Sequence, residues 1–442
     1  MKNTRKVALD VLNKVLFHDG YSNIVLGKNL KDKNIDVKDK ALITEIVYGT
    51  IKYKYSIDII IKKFIKTNIK KINISVLNIL RMSIYQIRYL DKIPDFAAVN
   101  EGVNLAKKYA SLKSSKFVNA VLRNYLRNSN LDFYNKNNNV EKLCFEYSFE
   151  PWMVRFFLRQ YKDRTEEILK GLNENPAVTV RVNTLKTSYE ELWNGLEKLD
   201  YNIEEGYICK KAIRIIKGHS IENNPLFTGG YFTVQDESAM LVSECLEIED
   251  SLTVFDLCSA PGGKTTHIGE LLKNTGKIYA FDLHESKISL INQNAERLGI
   301  KNIKAAVSDA SIKNDKLVNK ADRILLDVPC SGLGIIRKKP EIKWNKNMED
   351  LKKLSGIQKD ILLNASKYLK ENGILVYSTC TLNKDENEKN IREFLKENSN
   401  FKVEPINLGE FSNLMYSPYG VTILPNEYMD GFFMCKIKKL GR

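Results

Sequence analysis

The sequence predicts an α/β protein in which a parallel sheet covered on both faces is preceded by an all-α helical bundle and a small α+β subdomain. Three observations carry this. Residues 1–128 show only helical periodicity, the middle of the chain mixes short helices with alternating strands, and from about residue 253 apolar runs alternate with helical stretches. The expected boundaries are 1–128 for the bundle, 129–140 for a linker, 141–240 for the small subdomain and 241–442 for the sheet domain.

In the bundle, Ala8, Val11, Leu12, Val15 and Leu16 share one helical face, as do Leu77, Leu80, Ile84 and Ile87. The opening "MKNTRKVALDVLNKVLF" is basic and then apolar, like a signal peptide. Asp10, Asn13 and Lys14 interrupt the apolar run, so it reads as an amphipathic helix. The linker segment "NSNLDFYNKNNN" is rich in Asn. In the small subdomain, "AVTVRVN" and "YFTVQD" alternate apolar and polar positions as strands do. In the last domain "TVFDLC", "KIYAFDL", "IKAAVSDA", "DRILLDVP" and "GILVYSTC" are apolar runs suited to a sheet buried on both faces.

Composition narrows the function classes. No apolar run is long enough to span a bilayer, so no membrane association is expected. Seven scattered cysteines without a CxxC pair or a His cluster fit reduced thiols in the cytoplasm and argue against a zinc site or a disulfide framework. The net charge of +15 lies wholly in the bundle, where 25 Lys/Arg face 10 Asp/Glu; the other 314 residues carry 44 of each sign. Such a block either keeps the protein soluble or meets a polyanion, most often nucleic acid.

The stretch "VFDLCSAPGGKTTHIGELL" reads as strand, tight turn and helix. In a doubly wound sheet this turn lies at the ligand-binding edge. Gly262 and Gly263 admit close approach of a ligand to backbone. A dinucleotide site needs GxGxxG, which is absent. A P-loop needs a Gly where Cys258 stands, although Gly263-Lys264-Thr265 matches its end. S-adenosylmethionine is the third reading. Asp282 ends the second strand, where a carboxylate can accept from ribose hydroxyls, and Asp309 ends the third, where an adenine edge would lie. Either acid could instead be a helix cap.

Two cysteines close the argument. Cys330, in "DVPCSGLG", and Cys380, in "YSTCTLNKDENE", end separate sheet strands and so meet at one edge. A lone cysteine is ordinarily a buried filler; two at one ligand edge are not so easily dismissed. The helix expected from about Asn383 could favour a thiolate at Cys380. After Cys330, "RKKPEIKW" sets four cations beside an aromatic.

The three stretches "DLCSAPGGKTTH", "DVPCSGLG" and "YSTCTLNKDENE" together resemble the 5-methylcytosine RNA methyltransferases, as do "RVNTLK" and "FTVQDESAML" upstream. The bundle, through "KALITEIVYGTIKYK", resembles NusB. The combination resembles the RsmB group, also called Sun or Fmu, over nearly the whole chain. The resemblance implies a Rossmann-like S-adenosylmethionine-dependent methyltransferase sheet and methylation of C5 of a cytosine, number 967 in the bacterial numbering of 16S ribosomal RNA. It implies a cofactor turn of Cys258, Ser259, Ala260, Pro261, Gly262, Gly263 and Lys264. Asp282 would be at the ribose, Asp309 by the adenine, and Asp327 would face both cofactor and base. Cys380 would be the nucleophile and Cys330 would assist product release. The partner would be 16S ribosomal RNA or a partly assembled small subunit, met by a monomeric cytoplasmic enzyme. Another RNA such as tRNA, or a non-catalytic RNA-binding or antitermination role, are the alternatives.

Overall fold

The computed structural model describes residues 3–18, 20–32 and 35–441. The chain forms two units, one of Met1–Asn173 with Ile336–Asn345 and the other of Glu174–Ile335 with Lys346–Arg442.

The first unit is helical. Its helices are α1 (Thr4–Phe17), α2 (Ser22–Leu30), α3 (Val37–Lys52), α4 (Lys54–Phe64), α5 (Ile74–Tyr89), α6 (Asp95–Tyr109), α7 (Leu112–Arg127), α8 (Asn139–Tyr147), α9 (Pro151–Tyr161) and α10 (Thr165–Gly171). Side-chain caps start several of them: Asn3, Asp36, Asn73, Ser111 and Asn138 each accept from first-turn N–H groups. The first helix buries Val7, Ala8, Leu9, Val11, Leu12 and Val15, so the amino-terminal stretch is part of the core. Within 129–140, Phe133 and Tyr134 also pack on that core, and Phe133 stacks on Phe145 with centroids 5.7 Å apart.

Residues 336–345 are built into this unit although they follow Cys330 in sequence. The Glu341 carboxylate accepts from Ser22 N at 3.0 Å and Ser22 Oγ at 2.7 Å, at the start of α2. Lys343 Nζ donates to the carbonyls of Lys52 (3.1 Å), Tyr147 (3.2 Å) and Ser148 (3.1 Å) and to Asn173 Oδ1 (2.7 Å). It also lies 3.7 Å from the Phe149 ring centroid. Helices α3 and α8 end at Lys52 and Tyr147, so the ammonium meets terminal carbonyls at the negative ends of two helix dipoles. Burial still pulls its pKa well below the usual lysine range. Trp344 Nε1 donates to Ile51 O at 2.9 Å. Two of the polar side chains of "RKKPEIKW" are thus interior anchors, and its aromatic packs against the helical core.

The second unit holds two sheets. The smaller has strands β1 (Val178–Val182), β2 (Asn202–Glu205), β3 (Ala212–Lys217) and β4 (Phe232–Val234), in the order β2-β3-β1-β4, all antiparallel. Helices α11 (Tyr189–Glu197) and α12 (Pro225–Thr228) belong with it, and Ser188 with Glu191 forms a capping box on α11.

The larger sheet has β5 (Thr253–Asp256), β6 (Lys277–Asp282), β7 (Ile303–Val307), β8 (Ala321–Asp327), β9 (Leu369–Thr379), β10 (Phe401–Glu404), β11 (Leu414–Ser417), β12 (Gly420–Ile423) and β13 (Phe432–Lys439). The strand order is β11-β12-β13-β9-β8-β5-β6-β7, with β10 also on β13. The five strands expected from the sequence are parallel to one another. The last four are antiparallel, so the sheet is mixed rather than parallel throughout. These four close the β9 edge and leave that central strand buried. Helices α13 (Glu237–Glu244), α14 (Gly263–Leu271), α15 (Glu285–Leu298), α17 (Met348–Tyr368) and α18 (Glu388–Glu397) belong to this unit; the short α16 (Ile342–Asn345) lies in the inserted segment. Strand order reverses at β5, which has β6 on one side and β8 on the other, and ligands bind at such a switch point. Among the described residues, no helix is long and apolar enough to cross a membrane.

Candidate active site

The turn after β5 supplies the first half of the site. Ser259 binds the carbonyl of Phe281 through both N and Oγ, each at 2.8 Å, which ties the turn to the end of β6. Asp282, the last residue of β6, accepts from Ala260 N and from His284 N, each at 3.2 Å. The Pro261 carbonyl accepts from Asn294 Nδ2. Gly262 has φ of +99° and a Cβ there would lie 3.2 Å from Ile291 Cα, so both conformation and space call for glycine. A Cβ on Gly263 would meet nothing within 4 Å, so the first turn of α14 is open on that side. First-turn N–H groups without a side-chain cap, a carboxylate at the next strand end and an open glycine face fit a nucleoside-bearing cofactor. Cys258 is partly buried, and burial with Asp256 beside it pushes its thiol well up, so it fills space. Asp309 accepts from Ser311 N (2.9 Å) and Oγ (2.6 Å) within its own loop and lines a cavity of about 400 Å³ with Ser308, Ile312 and Lys313.

The ends of β8 and β9 supply the second half. Lys264 Nζ donates to Asp327 Oδ2 at 2.7 Å, and Ser378 Oγ donates to Asp327 Oδ1 at 3.0 Å. Burial pulls the Lys264 ammonium down, but Asp327 outweighs it, and the net shift is upward. Cys380 adds to that charge stabilisation. The sulfurs of Cys330 and Cys380 are 3.2 Å apart. The Cys330 thiol is pushed well above its usual range, first by its hydrogen bond with Cys380 and then by burial.

Both cysteines stand on loops that are held tightly. Ser331 N donates to Glu386 Oε2 (2.9 Å), and Ser331 Oγ shares a hydrogen bond with Thr381 Oγ1 (2.7 Å). Gly334 N donates to the Cys380 carbonyl and Gly431 N to the Gly334 carbonyl, each at 2.9 Å. A Cβ on Gly334 would sit 2.0 Å from the Gly431 oxygen, so only glycine fits between these backbones. Gln358 Nε2 bridges the Pro329 carbonyl and Glu386. The helix after Cys380 starts at Glu388 rather than near Asn383, because Asn383 is engaged in a turn: it accepts from Asp385 N and donates to Glu386. The helix expected to start just after Cys380 therefore begins eight residues beyond it.

The cofactor-turn residues and Asp282 thus come together, as do Lys264, Asp327, Cys330 and Cys380. Asp309 follows the paired end of β7, where Ser308 N donates to the Asp282 carbonyl at 3.1 Å, so the third carboxylate stands on the loop next to Asp282. Glu386, Gln358 and Ser378 were not singled out from sequence. A signal for Glu386 was the acid-rich "KDENE", which begins four residues after Cys380.

Three family models match: "16S rRNA methyltransferase RsmB/F" over residues 243–438, the NusB family over 2–127, and the RsmF/B-like ferredoxin-like domain over 149–222. The probable ribosomal RNA small subunit methyltransferase B of Bacillus subtilis is 37% identical over 450 residues, covering 100% of each chain. The ribosomal RNA small subunit methyltransferase B of Proteus mirabilis is 32% identical, covering 99% of each. The crystal structure of PH0851 superimposes with a TM-score of 0.84 at 26% identity, covering 99% of each chain. A methyltransferase homologue from Pyrococcus horikoshii gives 0.60 at 28% identity, with 68% of this chain and 99% of that one covered. The motifs, the switch-point sheet with its glycine turn and the full-length similarity agree: the chain belongs to the RsmB/F family of ribosomal RNA small subunit methyltransferases, with S-adenosylmethionine as its cofactor.

Proposed function

We propose that the protein methylates C5 of a cytosine in 16S ribosomal RNA, the family's position 967, through a covalent bond between Cys380 and C6. The observation that carries this reading is the pair of thiols 3.2 Å apart beside the Lys264–Asp327 ion pair. C5 of cytosine is a weak nucleophile until something adds to C6. Cys380 suits that role by its place: its sulfur stands at the carboxyl end of β9, 3.2 Å from the second thiol. The S–C6 bond forms, electron density moves toward C5 and N3, and the Lys264 ammonium, held by Asp327, offers an N–H donor for the charge that builds on the ring. The 258–264 turn and Asp282 would hold the cofactor, which when bound would supply an electrophilic methyl group for C5 and keep the bonding pair on its own sulfur. The C5 proton then passes to solvent water, its bonding pair restores the C5=C6 bond, and the S–C6 pair returns to sulfur. Cys330, kept as a neutral thiol by its hydrogen bond and burial, supports this last step by carrying a proton beside Cys380.

The test is incubation of purified protein with labelled cofactor and unmodified 16S RNA, either free or in a partly assembled subunit, followed by bisulfite sequencing. One new bisulfite-resistant cytosine is expected. Label on tRNA alone, or on a ribose or exocyclic nitrogen, would overturn the reading.

A further inference from the structure

The small sheet contributes one residue to the base of the cofactor helix. Arg181, on β1, is 1% exposed. Its Nε donates to Glu270 Oε2 at 3.0 Å and one terminal nitrogen to Glu270 Oε1 at 2.7 Å, a bidentate pair with a carboxylate that is itself 4% exposed. The other terminal nitrogen donates to the Gly263 carbonyl at 2.9 Å and to Gln235 Oε1. Thr266 Oγ1 is 3.3 Å away. Gly263 is the first residue of α14 and Glu270 lies in its last turn, so one guanidinium spans the helix that carries the cofactor turn.

Electrostatics argues against a purely stabilising role. A cation beside the first turn of a helix opposes the helix dipole. A buried ion pair generally stabilises no more than apolar residues of the same volume would. What the fork does provide is geometry: it fixes Gly263, and Gly263 is flanked by the turn glycine Gly262 and by Lys264, the partner of Asp327.

We propose that Arg181 is a positioning residue for the methyl-donor site, acting through Gly263 and Glu270 to hold the 258–264 turn and Lys264 in register. This rests on the reading of 258–264 and Asp282 as the cofactor site and is independent of which RNA atom receives the methyl group.

The test uses the full chain and S-adenosylmethionine. Arg181→Lys keeps the charge and removes the fork. The paired substitution R181M with E270M removes both charges and leaves an apolar pair. Calorimetry is expected to show cofactor affinity falling at least tenfold in each, while KM for RNA at saturating cofactor stays within twofold and the melting point of the cofactor-free paired variant stays near that of the parent. Asp282→Ala is the control. If it too leaves cofactor affinity unchanged, the site reading fails. If it weakens binding while the Arg181 variants do not, the Arg181 proposal fails. Equal weakening toward cofactor and RNA, or failure of both Arg181 variants to fold, would also overturn it, because the pair would then be holding the fold.

Discussion

At the scale of single residues, the carboxylates behave differently according to what surrounds them. Asp282 is a half-occupied acceptor at a strand end, already taking two backbone N–H groups. If it holds the cofactor ribose, its replacement by Ala removes charge-assisted hydrogen bonds worth about 1.5–3 kcal/mol, and calorimetry should show affinity falling about tenfold to a hundredfold. Asp256 is fully interior, with Oδ2 bonded to Thr265 Oγ1. Burial, reinforced by Asp327, lifts its pKa to about 7. The folded chain therefore holds a proton that the unfolded chain has released between roughly pH 4 and 7. Stability contributed by this group is greatest at the acidic end and falls as pH rises through that window, by a few kcal/mol at most. Urea unfolding at pH 5 and 8 should show Asp256→Asn losing less stability across that interval than the parent. Identical decreases would mean that Asp256 is ionised throughout. That Cys380, Cys330, Asp327 and Asp282 share one edge of the sheet was legible because each ends an apolar run. The partnership of Lys264 with Asp327 was not, because 63 residues separate them and only the fold makes them neighbours.

At the scale of elements, the parallel strands were readable because each is a compact apolar run followed by a turn. The four carboxyl-terminal strands were not: β10, β11 and β12 have four residues each, too few for alternation to stand out. The "RKKPEIKW" stretch gave no sign of its place in the fold. A run of cations normally marks a solvated face, yet Lys343 is sequestered by helix-end carbonyls that no local pattern announces. The loop before that segment yields a sharp prediction. Gly334 lies between the backbones of Gly431 and Cys380, and a methyl group there has no room. Gly334→Ala should cost about 1–3 kcal/mol of stability in denaturant unfolding. It should also reduce turnover more than tenfold by displacing Cys330 and Cys380. Wild-type turnover would show that the loop is not needed in this position.

At the scale of the whole molecule, charge and chain path both follow the two-unit division. The helical unit carries the cationic excess, and Lys62, Lys63, Lys66, Lys70 and Lys71 are all exposed within ten residues. If these meet RNA phosphates, replacing them with Gln should weaken RNA binding and flatten its salt dependence, by about one unit of slope for each phosphate no longer neutralised. An unchanged slope in filter-binding titrations would return the charge to solubility. That ten residues following the Cys330 loop belong to this unit could not be read linearly, since the hydrogen bonds of Glu341 and Lys343 reach back as far as 319 positions.

The central claim is that the two thiols divide one reaction between them, Cys380 forming the bond to C6 and Cys330 assisting its release. The direct measurement is denaturing electrophoresis of each variant after incubation with cofactor and target RNA. Cys330→Ala should trap a slow-migrating covalent protein–RNA band that requires the target cytosine, while Cys380→Ala and the double variant show none. A band in Cys380→Ala with none in Cys330→Ala would exchange the two roles, and full methylation by both single variants would contradict the account.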